Sequence, residues 1–455
     1  MTRLETRDAR ITAALTLMAL STFVAMLAYA GPLGNAPTIS AALSASPGAT
    51  MWILSSMSAG LAVSLLTAGA LADQSGRRRV FELGAYVFAG GSVVCATATT
   101  ATQFVIGRLV EGVGAAGVVA TGLGLVAAVR SDSTSRSASW WGASMGLGIA
   151  LGPLTTGLFD LAGAWRAPYW LLAVVGVGIA VVARWCFPET AAIPGRRLDL
   201  SGAASMTAGL GLLLVALVEA RQGGLVPALL CAGGAVVALA GFVVSQIRSR
   251  SPMVELALFR RGDFAAATVA AAVTGAGVIA LMSFACTFLV TTLRMSTFGA
   301  AAALGIWSGT SAVSAVLSRR LATRLTGTAQ LAIGLAVTGA GLLLLTGLSP
   351  GSTVEHLIPG LLVAGLATGL LNAGLGRQAT ATVPADRAAV GVGMNNTTRY
   401  VGASLGVTVV GVLASAPHAD LATRLSGWNH VAVLTGLVTL AGAAAVLALS
   451  RQLVA

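Results

Sequence analysis

The chain has 455 residues, of which 56% are hydrophobic and only 9% are charged, and its mean hydropathy is +0.88. This composition excludes an ordinary soluble protein, which keeps its apolar residues inside, and predicts a protein that crosses a membrane several times. The net charge of +12 is carried by arginines that lie mostly between apolar runs, so we expect anionic lipid headgroups as partners and no nucleic acid.

Apolar runs of membrane-spanning length recur along the whole chain. A hydrocarbon core of roughly 30 Å requires about 20 residues of helix. On that rule we predict an all-α polytopic membrane protein with about fourteen spans, of which the Gly-rich spans near residues 300 and 360 are the weakest. The approximate bounds are Ile11–Leu33, Met51–Ala72, Val80–Ala98, Phe104–Val129, Ala138–Leu161, Ala167–Cys186, Leu200–Ala220, Leu225–Ile247, Phe264–Leu289, Ala300–Leu317, Ala329–Leu348, Ile358–Leu375, Val390–Ala414 and Val431–Leu449.

The distribution of arginine predicts the orientation. With the N-terminus in the cytoplasm, most arginines fall in inner segments or at their edges, as the positive-inside rule requires. An even number of spans then places the C-terminus in the cytoplasm as well. The chain uses arginine and no lysine, which is typical of a G+C-rich bacterial genome. We therefore expect a multi-pass protein of the bacterial inner (plasma) membrane.

A charged loop, Gly69–Arg79, lies between the second and third predicted spans and reads GALADQSGRRR. Gly69 permits close helix contact, and Gly76 permits a tight turn. Asp73 or Ser75 is expected to accept hydrogen bonds from the free amides of the next helix. The alternative is a basic turn that follows the positive-inside rule and has no further function. The predicted conformational gate loop consists of Gly69, Asp73, Gly76, Arg77 and Arg78.

The fourth predicted span contains a cation and an acid three positions apart, Arg108 and Glu111. This spacing places both side chains on one face of the helix, within pairing distance. An ionisable group inside a membrane is costly, so function is the default interpretation and a structural ion pair is the alternative. Glu111 is the carboxylate that the sequence places near mid-span in a core helix. We predict that it binds and releases a proton.

The fifth predicted span carries glycines four residues apart, Gly148 and Gly152, followed by Pro153 and Gly157. Such glycines form a flat face for close helix contact, and the proline removes a backbone hydrogen bond, so the helix can bend there. The pattern fits either a simple packing stripe or a helix that rocks.

An internal repeat predicts two six-helix halves. The charged loop has a degraded copy in Ser318–Gly327, and the glycine pair of the fifth span has a counterpart in Gly402 and Gly406. Transporter folds are commonly built from such repeats. The predicted division is an N-terminal half (1–187), a linker with two extra spans and an interfacial segment (188–263), and a C-terminal half (264–455).

Polar residues interrupt several of the apolar spans. In the thirteenth span, amides, hydroxyls and one arginine either form interhelical hydrogen bonds or line a cavity. The candidate residues of a substrate cavity are Tyr29, Asn35, Asn395, Asn396 and Arg399. The sequence contains no phosphate-binding loop, His-rich cluster, nucleophile motif or C-x-x-C pair. We therefore predict no cofactor, no metal site and no enzymatic activity.

Three of these sequences together resemble signatures of the major facilitator superfamily of transporters. They are the loop G-x-L-A-D-x-x-G-R-R-R, the fourth-span R-x-x-[Q/E]-G-x-G-A-A, and the fifth-span G-x-x-x-G-P-x-x-x-G, which resembles the antiporter signature of exporters. With the two extra spans and the segment Leu256–Arg260, the chain is similar to the fourteen-helix drug:proton antiporter branch. The resemblance implies the major facilitator fold and a role for Arg108 in coupling to protons.

The chain departs from that branch in its first span. The branch commonly carries an aspartate there, whereas this chain has Ala28 at the corresponding position. The departure counts against ordinary proton coupling and against a cationic substrate range. It also makes Glu111 the more important candidate for binding the proton.

We predict a monomeric, proton-coupled efflux transporter that exports small amphipathic organic compounds or drugs by alternating access. Its expected partners are the lipid bilayer, the small-molecule substrate and protons. One alternative is a dedicated exporter of a single endogenous metabolite, such as an antibiotic or a siderophore. Another is a non-transporting membrane sensor.

The predicted topology places Ser349–His356 and Ala416–Gly427 outside and Arg319–Thr328 in the cytoplasm. Single cysteines introduced into these segments, in a background without the four native cysteines, test this. We expect an impermeant thiol reagent to label the first two segments in intact cells and to leave Arg319–Thr328 unlabelled. Labelling of that segment in intact cells would overturn the fourteen-span assignment.

Overall fold

A computed structural model describes residues 3–129, 134–189, 199–221, 224–249, 251–321, 325–414 and 420–451, and their long segments are helical. Parts of two predicted features lie outside the described residues: 190–198 of the linker and 322–324 of the repeated loop. The outer segment 416–427 is described only from residue 420. The α-helices are α1 (Arg3–Ala30), α2 (Ala36–Ala42), α3 (Pro47–Ser75), α4 (Arg77–Ala96), α5 (Ala101–Val129), α6 (Thr134–Leu161), α7 (Ala167–Cys186), α8 (Leu200–Arg221), α9 (Leu225–Arg248), α10 (Gly262–Val273), α11 (Ala280–Thr291), α12 (Thr297–Leu321), α13 (Gly327–Leu343), α14 (Ile358–Ala381), α15 (Ala388–Ala414) and α16 (Leu421–Arg451).

Local sequence sets several helix ends. Ser46 accepts a hydrogen bond from the amide of Ala49 at the start of α3, and Thr326 accepts one from Ala329 at the start of α13. Gly76 separates α3 from α4 with φ of 107°, a backbone conformation that favours glycine. The helices α10 and α11 are joined by a π-helical turn, Thr274–Ile279, into one continuous span.

Twelve segments of the described chain are long and apolar enough to cross a membrane. The Gly-rich segments near residues 300 and 360 are among them, contrary to the weakness predicted for them. Of the fourteen predicted spans, the ones that fall short are α13, which has only 17 residues, and α15, whose polar run Asn395–Arg399 lowers its hydropathy. The protein is therefore an all-helical multi-pass membrane protein.

The helices pack in two groups. In the N-terminal group, α1 and α3–α7, α5 packs against α3 and α4, α4 against α7, and α1 against α6. In the C-terminal group, α10–α16, α14 packs against α12 and α13, and α16 against α13. The groups meet where α6 contacts α12 and α14, and where α3 contacts α15. Two clusters of buried apolar side chains lie within the C-terminal group, and a third fills the N-terminal group and extends to a few residues of α8, α14 and α15.

The helices α8 and α9 form a pair that packs against α3 and α15, where the two groups meet. Asp199, just before α8, fastens the pair together. Its carboxylate accepts hydrogen bonds from the Gly202 amide (2.8 Å), from Ser245 Oγ (3.0 Å) and from Gln246 Nε2 (2.7 Å). Burial acts to raise the pKa of Asp199, but these donors outweigh it and hold the pKa below its ordinary value.

Candidate functional site

A cavity of about 370 Å³ lies between the two helix groups, a volume typical of pockets for drug-sized ligands. Its wall is mostly apolar and aromatic, and includes Tyr29, Trp52, Phe284, Trp307 and Tyr400. Trp52 lies in the second turn of α3, whereas the predicted charged loop forms the last turns of the same helix, the break at Gly76 and the first turn of α4. The cavity therefore extends toward the end of the bundle opposite the charged loop.

Among the lining residues that the structure describes, Arg399 of α15 is the one with a charged side chain. It is only 3% exposed. Its Nη1 donates to Asn372 Oδ1 of α14 (3.2 Å), and its Nη2 lies 3.3 Å from the sulfur of Met145 on α6. The guanidinium thus lies at the junction of the N-terminal and C-terminal helix groups.

The five sequence-predicted cavity residues do not all reach the cavity. Tyr29 and Arg399 line it, whereas Asn35, Asn395 and Asn396 are buried elsewhere. Asn396 Nδ2 donates to the carbonyl of Val392, one turn earlier in its own helix (3.0 Å). Its amide therefore forms neither the interhelical hydrogen bond that was one alternative nor part of the cavity wall.

Sequence reasoning missed Asn372 and Met145, which hold the guanidinium of Arg399. Asn372 is a lone amide within the apolar run of α14, so the rule that polar residues in spans are informative could have found it. No sequence pattern could have identified Met145, because its contact with Arg399 exists only where α6 and α15 come together in the folded protein. The Tyr29 and Tyr400 rings also meet across the two groups, edge to face at 5.9 Å.

Arg108 and Glu111 form the predicted ion pair, with Nη1 and Oε2 2.6 Å apart and both side chains fully buried. The second carboxylate oxygen accepts from Ser92 Oγ of α4 (2.6 Å), a partner that the sequence analysis missed. Gly91 beside it allows this approach, because an added Cβ would lie 2.9 Å from Glu111 Cγ. Neither Arg108 nor Glu111 lines the cavity.

Arg108 nevertheless contacts a residue of the cavity wall. Its Nη2 donates to the backbone carbonyl of Tyr29 at the end of α1 (3.3 Å), and the ring of Tyr29 lines the cavity. A rearrangement of the Arg108–Glu111 pair can therefore reach the cavity through α1.

The charged loop joins the two helix groups through Asp73, which is 6% exposed. Its carboxylate accepts from the amides of Ala389 (3.3 Å) and Val390 (2.8 Å) in the first turn of α15 and pairs with Arg77 Nε (2.8 Å). The first-turn amides of a helix lack intrahelical partners and carry partial positive charge, so a carboxylate stabilises them. We call these contacts the Asp73 cluster.

The prediction that Asp73 or Ser75 caps the next helix was wrong. Ser75 Oγ donates back to the carbonyl of Leu71, and α4 begins at Arg77, preceded by Gly76, without a side-chain cap. Asp73 instead caps α15, more than 300 residues later in the chain. The carboxylate points away from α4 and toward the facing helix group.

The arginines of the loop serve different partners. Arg77 Nη2 donates to the carbonyl of Ala385, just before α15, at 2.8 Å. Arg78 instead pairs with Glu82 (3.5 Å) and Glu189 (3.3 Å), which belong to α4 and to the segment after α7. Arg77 therefore belongs to the Asp73 cluster, while Arg78 strengthens the N-terminal group internally.

Two glycines allow the groups to approach at this end. An added Cβ at Gly69 would lie 2.9 Å from the carbonyl carbon of Ala389, and one at Gly393 would lie 2.5 Å from the carbonyl oxygen of Leu65. Cβ atoms essentially never lie this close to backbone atoms, so α3 and α15 pack at this distance because both positions are glycine.

The glycine face of α6 packs against α1. Added Cβ atoms at Gly148 and Gly152 would meet the backbone carbonyls of Phe23 and Leu27. Thr156, one turn further on, donates to the carbonyl of Gly31 at 2.5 Å. Gly157 lies near the same turn, with an added Cβ 3.5 Å from the carbonyl oxygen of Gly34, and Pro153 lies inside the helix and lines the cavity.

An all-helical bundle with a cavity between two helix groups, closed off at one end by charged contacts, is the architecture of a membrane transport protein. The family model of the Major Facilitator Superfamily matches residues 18–407. The chain belongs to this superfamily.

Two relatives and one solved structure illustrate the likeness. A Streptomyces coelicolor protein named "Probable actinorhodin transporter" is 32% identical over 83% of this chain and 68% of its own length. The "Multidrug resistance protein Stp" of Mycobacterium tuberculosis is 28% identical over 84% of this chain and 73% of its own length. The crystal structure of the human organic anion transporter MFSD10 (TETRAN) aligns with a TM-score of 0.70 over 96% of this chain and 99% of that chain. At 16% identity, that structure supports the fold alone.

The buried pair yields a stability test. Arg108→Gln leaves the carboxylate of Glu111 buried without its cation, which costs about 3–5 kcal/mol, whereas Arg108→Gln/Glu111→Gln removes both charges and recovers much of this loss. We expect the free energy of unfolding, measured by detergent titration of the purified protein, to be lowest in Arg108→Gln and to lie closer to the native value in the double variant. Equal losses in the single and the double variant would contradict an energetic coupling between the two side chains.

Proposed function

We propose that this protein is an efflux transporter that exports small amphipathic organic compounds by alternating access, driven by inward proton flow. The observation that carries the proposal is the Asp73 cluster. It closes one end of the bundle with hydrogen bonds between the helix groups, while the cavity extends toward the opposite end. Separation of these contacts, with closure at the other end, would expose the cavity to the second side of the membrane.

We further propose the predicted division into two six-helix halves and an inserted pair, with fourteen spans in all. The packing of α1 and α3–α7 on one side, and of α10–α16 on the other, supports it. The pair α8–α9 contacts α3 and α15 without joining either set, as an insert would. On this view α13 and α15 also cross the membrane. Their polar or short sequences are sheltered by neighbouring helices, since most of their residues face protein.

The efflux direction rests on the relatives. One carries the name of an antibiotic transporter and the other that of a multidrug resistance protein, and both align with more than four fifths of this chain. The first name also favours the second candidate, a dedicated exporter of one metabolite made by the same cell. Comparison of the compounds retained by a deletion strain and by its parent separates the two candidates.

We propose that Glu111 carries the coupling proton. Its carboxylate is held by Arg108 and Ser92 outside the cavity, so proton and substrate would bind at separate places. The contact from Arg108 to the backbone of Tyr29 supplies a route between them. Protonation of Glu111 would remove the charge that pairs with Arg108, and the Arg108 side chain could then shift together with the Tyr29 carbonyl that it contacts.

We also propose that the protein lies in the bacterial plasma membrane as a monomer, with both termini in the cytoplasm. In this orientation the Asp73 cluster is the cytoplasmic closure, and the structure corresponds to a state whose cavity is directed outward.

Asp73→Asn tests the closure. An asparagine can still cap α15 with its carbonyl oxygen, but it loses the charge that pairs with Arg77. We expect the transport rate in reconstituted vesicles to fall about tenfold or more, the factor that corresponds to one charge-assisted hydrogen bond, while substrate binding changes little. Asp263→Asn is the matched control, because the contacts of Asp263 in the described chain are local, an ion pair with Arg261 and a hydrogen bond from the Phe264 amide. A normal rate in Asp73→Asn at normal expression would refute the closing role.

Glu111→Gln tests proton coupling. The amide preserves the shape of the side chain but cannot take up and release a proton. In vesicles with an imposed pH gradient and a panel of dyes and antibiotics, we expect this variant to lose uphill efflux and to retain downhill exchange. Glu219→Gln, at the end of α8, serves as control and should keep coupled efflux. If Glu111→Gln still concentrates substrate with a normal proton requirement, coupling resides elsewhere.

A further inference from the structure

The electrostatic character of the cavity is set by one buried cation. Among the described residues that line the cavity, Arg399 is the one with a charged side chain, and no carboxylate of the described chain forms an ion pair with it. A buried charge without a partner costs several kcal/mol, so such groups are rarely retained without a counter-charge. Arg399 is therefore a buried cation without a carboxylate partner among the described residues.

The guanidinium also has unused donors. The buried Nε of Arg399 has no hydrogen-bond acceptor among the described residues, and Nη2 donates to the sulfur of Met145, which is a weak acceptor. The guanidinium carbon also lies 5.9 Å from the centre of the Trp141 ring, a contact that leaves these donors unused. Nη1 is held by the neutral amide oxygen of Asn372, which fixes the side chain without neutralising it. A guanidinium presents its donors as a planar fork that matches a carboxylate with two parallel hydrogen bonds.

The rest of the wall suits an aromatic or apolar body. Tyr400 adjoins Arg399 in sequence, its ring lies 5.8 Å from the guanidinium carbon, and it meets the ring of Tyr29. Trp307 and Phe284 extend this surface toward the opposite end of the bundle. The buried hydroxyl of Ser311, also in the wall, has no partner and can donate to a further oxygen of a ligand.

We propose that the cavity selects organic anions: compounds with an aromatic or apolar body and one carboxylate or acidic phenol that pairs with Arg399. The inference rests on the proposed transport function and names the class of its substrate. Cationic compounds are disfavoured, because they would lie beside Arg399 with no acidic side chain in the wall to attract them. Neutral analogues lose the ion pair and leave the guanidinium buried without a counter-charge.

Three probes that share one ring system test the proposal: naphthoate, naphthamide and naphthylmethylammonium. Equilibrium binding of each radiolabelled probe to the purified protein in lipid nanodiscs is compared with binding to empty nanodiscs. We expect naphthoate to bind at least about tenfold more tightly than naphthamide, the factor that corresponds to one charge-assisted hydrogen bond, and the ammonium to bind most weakly. Equal binding of the three probes, a preference for the cation, or no binding of naphthoate would overturn the proposal.

Variants assign the preference to one side chain. Arg399→Gln should bring the affinities for naphthoate and naphthamide together, and Arg399→Lys should retain a smaller preference for the anion. Arg294→Gln is the matched control, since Arg294 is an exposed arginine outside the cavity, and its removal should leave the preference intact. An anion preference that survives Arg399→Gln would refute the assignment. If that variant fails to fold, the three-probe comparison on the native protein and on Arg399→Lys still decides the question.

The transport function is tested separately with the same protein in vesicles. Export of cationic or neutral dyes without any preference for naphthoate would overturn the anion assignment and leave the proposed transport function standing. Naphthoate binding that depends on Arg399, with no movement of any compound across the vesicle membrane, would overturn the proposed transport function and leave the anion assignment standing. The two failures are therefore distinguishable.

Discussion

The arrangement of the helices depends on one carboxylate at the junction of the two groups. Asp73 lies in the last turn of α3 in the N-terminal group and caps α15 in the C-terminal group. Arg77 neutralises the carboxylate and donates to the backbone just before α15. A helix N-terminus buried against another helix would otherwise leave its first amides unsatisfied. Since the cap comes from the facing group, the energy of this helix end depends on the contact between the groups. Such a contact can be made or lost as a unit.

Glycine determines how closely the groups approach. The backbones of α3 and α15 pass each other at Gly69 and Gly393, and α6 lies against α1 at Gly148 and Gly152. In a membrane, apolar side chains gain little by leaving lipid, so helices associate through such close packing and through hydrogen bonds. Contacts of this kind are short-ranged and are broken by small shifts. They suit a bundle whose halves move against each other.

The charges inside the bundle fall into two separate environments. The pair formed by Arg108 and Glu111 is neutral as a whole and is fully enclosed. Arg399 carries its charge to the cavity wall without a counter-ion among the described residues. The absence of an acid at Ala28, noted in the sequence, agrees with this division, since the first span contributes no carboxylate to the cavity. The proposed proton site and the proposed anion site share no residues, so they could communicate only through the helices, and the contact of Arg108 with the carbonyl of Tyr29 is one such connection.

The sequence by itself determined the features that depend on neighbours along one helix: the apolar spans, the turn at Gly76, and the pairing of Arg108 with Glu111, whose spacing of three fixes a common face. Tertiary structure alone decided which partner each polar group meets. Asp73 caps α15 instead of α4, Ser92 completes the shell of Glu111, and Asn396 turns back to its own helix while Arg399 faces the cavity. The reason is physical: a local pattern fixes the face on which a side chain lies, whereas its partner depends on which distant helix packs against that face.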